Sequence, residues 1–134
     1  QEQQPMFKRG NATVLFVQDL EKGLQFYRDM LGFKYDFSDS ESHFFKVDDQ
    51  DFVLLNISAA AAMITPEAVG LNKAGGHRVL LCAGVDDVDE VYQALTAKGV
   101  AFIKSPQDQA WGRRTAYFAD PEGNLWELFQ ILES

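Results

Sequence analysis

Apolar and polar positions alternate with the period of a strand through residues 115–119 and again through 125–131. Between these runs stand Asp120, Pro121, Glu122, Gly123 and Asn124. Pro121 fixes φ at roughly −65°, Gly123 accepts positive φ, and Asp120 and Asn124 can bond their own backbone, so the five residues predict a turn. The aromatic, alternating flanks predict the two strands of a β-hairpin. Side chains on a strand alternate between faces. If Ala119 pairs with Leu125, Tyr117 lies opposite Glu127 and Thr115 opposite Phe129. One face then carries Arg113, Thr115, Tyr117, Leu125, Glu127 and Phe129. A carboxylate within an apolar strand is costly to bury alone, so Glu127 is expected to face a partner, a cavity or water.

Upstream, residues 11–17 read as a strand. Asp19 reads as the N-cap of a helix running to about Leu31, with Leu20, Leu24, Tyr27 and Leu31 at helical spacing and Gly32 ending it. Segments 33–37, 43–47 and 52–57 read as strands, separated by turns at 38–42 and 48–51. Residues 58–76 break the pattern: 58–63 is Ala-rich, 66–70 suggests a short helical turn, and the whole reads as a connector.

The plan then repeats. Residues 78–85 read as a strand, and Asp87 as a helix N-cap with Glu90 three positions on, a capping box in outline. Val88, Val91, Tyr92 and Leu95 form the stripe, Gly99 ends the helix, 100–104 is a strand, and 105–110 a loop before the hairpin. Val17-Gln18-Asp19-Leu20 matches Val85-Asp86-Asp87-Val88, Leu24 matches Tyr92, and Tyr27 matches Leu95. Each half is βαβββ, and such internal duplication is an architectural signal. The expectation is one α+β domain over residues 1–134: module one at about 11–57, connector 58–76, module two at about 77–132.

Composition narrows the function. The chain is 46% apolar and 24% charged, as in an ordinary globular protein. A net charge of −8 argues against a nucleic-acid partner, which wants a basic face. No apolar run is long enough to span a bilayer, so no membrane partner is expected. Residues 1–5 are polar, without the regions of a signal peptide. The single Cys82 rules out an internal disulfide framework and predicts a cytoplasmic location. There is no phosphate-binding Gly loop, nucleophile elbow, Cys-x-x-Cys or His-Glu-x-x-His pattern.

The segment Trp111-Gly112, aromatic strand, Asp120-Pro121-Glu122-Gly123-Asn124, apolar strand with Glu127 resembles the glyoxalase/bleomycin-resistance/dioxygenase superfamily, the vicinal oxygen chelate proteins. The paired βαβββ modules extend that resemblance over nearly the whole chain. It implies a curled, open mixed sheet around a central cavity, helices outside, and pairing with a second copy, in some members with exchange of modules. It also implies, in metal-dependent members, four inward His or Glu ligands. Carried over, these fall at Ala12 (seven residues before Asp19), Leu80, Glu127, and Leu55, or Leu54 or Asn56 after a slip. Only Glu127 is a His or carboxylate, and one carboxylate does not hold a catalytic divalent ion. His77 lies three residues before Leu80, at the strand mouth.

The resemblance is nearest in character to the metal-free bleomycin-resistance branch. It implies binding or sequestration of a small apolar or aromatic molecule, similar to antibiotic resistance, with no cofactor. Ligand-contacting candidates are Glu127, Tyr117, Trp111, Arg113, His43 and Phe45. Glu127 could instead pair with Arg113 or Arg114, Trp111 could be core, and His43 could be a structural histidine. Cys82 reads as a buried small hydrophobe. The alternatives are a superfamily enzyme (a metal-dependent lyase, isomerase or ring-cleaving dioxygenase, or a metal-free one with Glu127 as base) and a non-catalytic scaffold with a filled cavity. A homodimer is expected.

Overall fold

A computed structural model describes residues 12–70 and 80–133. The described elements follow the duplicated plan. Module one holds β1 (Ala12–Val17), α1 (Leu20–Leu24), β2 (Lys34–Ser38), β3 (Ser42–Val47) and β4 (Gln50–Asn56). Two short helices follow, α2 (Ile57–Met63) and α3 (Pro66–Val69). Module two holds β5 (Leu80–Gly84), α4 (Val88–Ala97), β6 (Phe102–Asp108), β7 (Arg113–Ala119) and β8 (Leu125–Ile131). The strands form two four-stranded mixed sheets, ordered β1-β4-β3-β2 and β5-β8-β7-β6. In each, the first strand pairs parallel with the last and the other pairs are antiparallel.

The helix starts have the chemistry their sequence predicts. The carboxylates of Asp19 and Asp87 accept from the backbone N–H of Lys22 and Glu90 at 3.0 and 3.1 Å. Gly32 and Gly99 adopt positive φ where the helices stop. The first helix departs from expectation in its second half. Residues Gln25–Met30 are π-helical, and Leu31 N–H reaches back five residues to the carbonyl of Phe26 at 2.9 Å. The Ala-rich segment after β4 is helical, capped by Asn56, whose side chain accepts from Ser58 N–H at 2.8 Å.

The loop expected at 105–110 is a correction. β6 continues to Asp108 through Pro106. It is an edge strand whose register against β7 shifts between Lys104 and Gln107. An edge strand with a bulge tolerates a residue that cannot donate to the ladder.

The closing hairpin ties the modules together. Asp120 is buried, and its side chain accepts from the backbone N–H of Glu122 and Asn124 and from Asn124 Nδ2, at 2.8–2.9 Å. Glu122 accepts from Asp19 N–H at 2.9 Å, and Gln130 from Val88 N–H at 2.9 Å, so the hairpin caps the start of both long helices. One core joins both modules: Tyr27, Phe45, Phe52 and Leu54 from the first, Val88, Phe118, Trp126 and Leu128 from the second. At its centre the fully buried Tyr27 donates to Asp120 Oδ2 at 2.7 Å and accepts from Trp126 Nε1 at 2.9 Å. Burial, then the Asp120 carboxylate, pushes the Tyr27 phenol far up, so it stays protonated. The core takes one face of each sheet and leaves the other face of each sheet outside it.

Candidate functional site

Strand alternation decides what that second face carries. On sheet two, Leu81, Phe118, Trp126 and Leu128 belong to or pack on the core. Their neighbours Leu80, Cys82 and Gly84 on β5, Leu125, Glu127 and Phe129 on β8, and Arg113, Thr115 and Tyr117 on β7 therefore point the other way. The hairpin register is the expected one: Ala119 with Leu125, Tyr117 with Glu127, Thr115 with Phe129.

Glu127 sits in the middle of this open face with its partners satisfied. Tyr117 Oη donates to Glu127 Oε1 at 2.7 Å. Cys82 lies directly across the parallel pair, and its thiol hydrogen-bonds the same carboxylate. Burial first, then Glu127, raises the Cys82 thiol pKa; burial first, then the bond to Glu127, raises that of Tyr117. Both groups stay protonated at neutral pH and act as donors. Thr115, buried, hydrogen-bonds Tyr117 and accepts from Gln109 Nε2 at 2.9 Å. A polar line thus crosses the sheet from Gln109 through Thr115, Tyr117 and Glu127 to Cys82. A cleft of about 200 Å³ opens beside it, lined by Lys104, Ser105, Gln107, Gln109, Thr115 and Tyr117. A second, of about 270 Å³, lies at Gly84, Phe129 and Ile131.

The structure brings together three of the six expected contact residues: Glu127, Tyr117 and Arg113. Arg113 does not pair with Glu127. Its guanidinium lies over the Phe129 ring, 4.3 Å from the centroid. Arg114 turns to the other side and pairs with Asp89 and Asp108 at 3.1 and 2.9 Å. Trp111 is neither core nor enclosed wall in the single chain, being 63% exposed in the turn before β7. His43 and Phe45 lie on the core side of sheet one, away from the open faces. Phe45 is fully buried against Tyr27 and Phe52. His43 shares a 2.6 Å hydrogen bond with Ser38 Oγ and bonds the backbone of Leu20. Ser38 in turn bonds Tyr35 Oη. His43 thus links β2 and β3 to α1, a structural role. His77 lies outside the described residues.

Cys82 corrects its own reading: it is exposed on the open face rather than buried. Its place beside Glu127 was foreshadowed by its parity with Leu80. Sheet one shows the equivalent positions. Val17 matches Val85 in the repeat, so Val14 matches Cys82, and Val14 pairs with Val53 as Cys82 pairs with Glu127. The counterpart of Glu127 is therefore Val53, two residues before the expected Leu55, and Leu55 corresponds to Phe129. Ala12 and Leu80 pair with Asp51 and Leu125, one step along from that level. This face of sheet one carries an apolar patch of Val14, the buried Val53, and Phe44 stacked on Phe37 at 4.3 Å, bordered by the Lys46–Asp51 ion pair.

These residues do not fit a divalent ion. Among the described residues, no three His, Cys, Asp or Glu side chains gather to hold one. Glu127 has a protonated thiol and a phenol as neighbours, and valines stand at the matching level of sheet one. No helix among the described residues is long and apolar enough to cross a membrane.

Comparison with known proteins agrees with this architecture. An uncharacterized protein of Bacillus subtilis (strain 168), YraH, is 32% identical over 121 residues, covering 88% of this chain and 94% of its own. A crystal structure of a glyoxalase/bleomycin resistance protein/dioxygenase from Nocardioides shares the fold with a TM-score of 0.82 at 25% identity, covering 96% of this chain and 88% of that one. A glyoxalase/bleomycin resistance protein/dioxygenase family enzyme from Burkholderia phytofirmans PsJN gives a TM-score of 0.79 at 20% identity, over 91% of this chain and 98% of that one. The model of the Glyoxalase/Bleomycin resistance protein/Dioxygenase superfamily matches residues 9–128. With paired βαβββ modules, the Asp120–Asn124 turn and Glu127 all in place, this chain belongs to the glyoxalase/bleomycin resistance protein/dioxygenase superfamily.

Proposed function

We propose that the protein binds a small apolar or aromatic molecule on the open face of its second sheet, without a resident divalent ion, in the manner of a sequestering member of its superfamily. The observation that carries this reading is the half-buried Glu127, hydrogen-bonded by Tyr117 and Cys82 on a face that also carries Leu80, Leu125 and Phe129. An oriented carboxylate on an apolar surface fixes a ligand through one polar contact, while the surrounding rings and methyl groups supply buried area. Because Tyr117 and Cys82 already spend their protons on Glu127, a ligand donor would share that carboxylate rather than meet a bare charge.

The apolar patch on the open face of sheet one supports a second copy as partner. Val14 and Phe37 are 43% and 50% exposed there. A homodimer that sets sheet one of one protomer against sheet two of the other would cover both faces and enclose the ligand. Sedimentation at micromolar concentration tests this, and a monomer would remove it.

A metal-free enzyme is the second reading. The hydrogen-bonded line from Gln109 to Cys82 orients Glu127 as a general base orients itself, with Tyr117 able to return a proton. Glu127→Ala separates the readings from a purely structural role. The variant is expected to fold and to lose affinity for small aromatic probes. Equal loss of thermal stability with and without probe would count against a binding role. Elemental analysis after incubation with zinc, nickel, manganese and iron(II) is expected to give less than about a tenth of an equivalent. Near one tightly held equivalent would bring the metal-dependent reading forward.

A further inference from the structure

Arg113 is a cation with no carboxylate partner among the described residues, in a chain of net charge −8. Its neighbour Arg114 has two such partners and the exposed Arg28 has one. Arg113 instead lies half-buried with its guanidinium carbon over the Phe129 ring, 4.3 Å from the centroid. A guanidinium stacked in this way keeps its in-plane N–H fork free, and that fork matches a carboxylate through two parallel hydrogen bonds.

The stack has a third layer. A Cβ built on Gly84 would stand 3.0 Å from Cζ of Phe129 and 3.3 Å from Cε2. Gly84 does not have positive φ, so its backbone does not demand glycine. Space does: the Phe129 ring lies down over β5 only because no side chain rises there. Phe129 thus leans over Gly84 and carries Arg113 above its ring, so the bare backbone at Gly84 helps set where the guanidinium sits. Phe129 also borders the cleft of about 270 Å³ at Gly84 and Ile131. Glu127 stands one same-face position before Phe129 on β8, and Arg113 is near enough to Cys82 to influence its charge. The other cation near this face, Lys104, is exposed on the edge strand β6 and has no such support.

We propose that this stack makes the open face selective for small aromatic carboxylates, with Arg113 holding the carboxylate, Ile131 and the edge of the Phe129 ring meeting the ligand ring, and Gly84 acting as a positioning residue. This rests on the open face of sheet two being the binding surface. The probes are 1-naphthoate, neutral 1-naphthamide and cationic 1-naphthylmethylamine, titrated by calorimetry at pH 7.5 and low salt, with binding located by NMR shifts. Naphthoate is expected to bind about tenfold or more tighter than naphthamide, the worth of a charge-assisted pair. Arg113→Met is expected to abolish that preference while keeping naphthamide affinity. Gly84→Ala is expected to weaken the preference with its melting transition retained. Lys104→Met is expected to leave it intact.

Equal binding of acid and amide at Tyr117 and Glu127 would overturn the carboxylate assignment and leave the binding face standing. Tighter binding of the amine, or a preference that survives Arg113→Met, would overturn it too. Absence of binding by all three probes would overturn both the assignment and the binding face.

Discussion

Replacing Tyr27 with Phe removes one oxygen from the centre of the molecule and leaves the ring in place. That oxygen donates to Asp120 at 2.7 Å and accepts from Trp126 at 2.9 Å, joining the first helix to both sides of the closing hairpin's turn. A hydrogen bond to a charged group contributes about 1.5–3 kcal/mol, and a buried donor left without a partner costs about 1–3 kcal/mol. Asp120 keeps its Asn124 donor on the same oxygen, which softens the first loss. The indole N–H of Trp126 has no such reserve, and Trp126 is buried. We expect Tyr27→Phe to lower unfolding free energy by about 2–4 kcal/mol, or Tm by roughly 6–15 °C for a chain of this size. Urea unfolding followed by tryptophan fluorescence, with thermal melts by circular dichroism, measures both. Addition of Trp126→Phe completes a double-mutant cycle, with an expected coupling of about 1 kcal/mol. A loss below about 0.5 kcal/mol, well under the cost of one orphaned donor, would refute the bridging role of this hydroxyl.

Two further outcomes follow from the charges. Burial holds the His43 pKa below the ordinary imidazole value, so the native state binds fewer protons at this site than the unfolded chain. Its contribution to stability is full above about pH 6.5 and is lost as pH falls through the lower, folded value; an NMR titration midpoint at or above 6.5 would contradict this, and His43→Gln should flatten the pH dependence of Tm over that window. The Cys82 thiol, raised by burial and by Glu127, should alkylate more slowly at pH 7.5 than free cysteine, and Glu127→Gln should speed it; unchanged or slower alkylation in the variant would break the proposed thiol–carboxylate contact.

The duplicated modules, the cap at each long helix and the hairpin register were legible because each rests on local chemistry. Asp19 and Asp87 cap through their own neighbours, and Gly123 and Asp120 shape a turn within five residues. The register then placed Arg113, Tyr117 and Glu127 on one face by parity alone. Long-range facts were not legible. Nothing local says that Tyr27, at a plain stripe position, bonds residues 93 and 99 positions away. His43 and Phe45 were assigned to the cavity without a register for β3. Pairing of Phe45 with Phe52 and of His43 with Leu54 turns both toward the core. The match of Val53, not Leu55, to Glu127 needed the parallel pairing of β1 with β4. The π-helical turn at Gln25–Met30 has no evident marker in its sequence. Gly84 is the instructive case: its reason is the ring of Phe129, 45 residues on, and only coordinates show it.

The most direct test of the open face is a two-dimensional NMR titration of the protein with 1-naphthoate and 1-naphthamide, with side-chain methyl and aromatic resonances assigned. Binding on that face predicts saturable shifts centred on Leu80, Tyr117, Leu125, Glu127 and Phe129, with the naphthamide shifts suppressed in Glu127→Ala. Saturable shifts centred instead on Phe26, Met30, Val100 and Pro121, which line a cleft of about 310 Å³ between the modules, would contradict it, as would an unchanged spectrum.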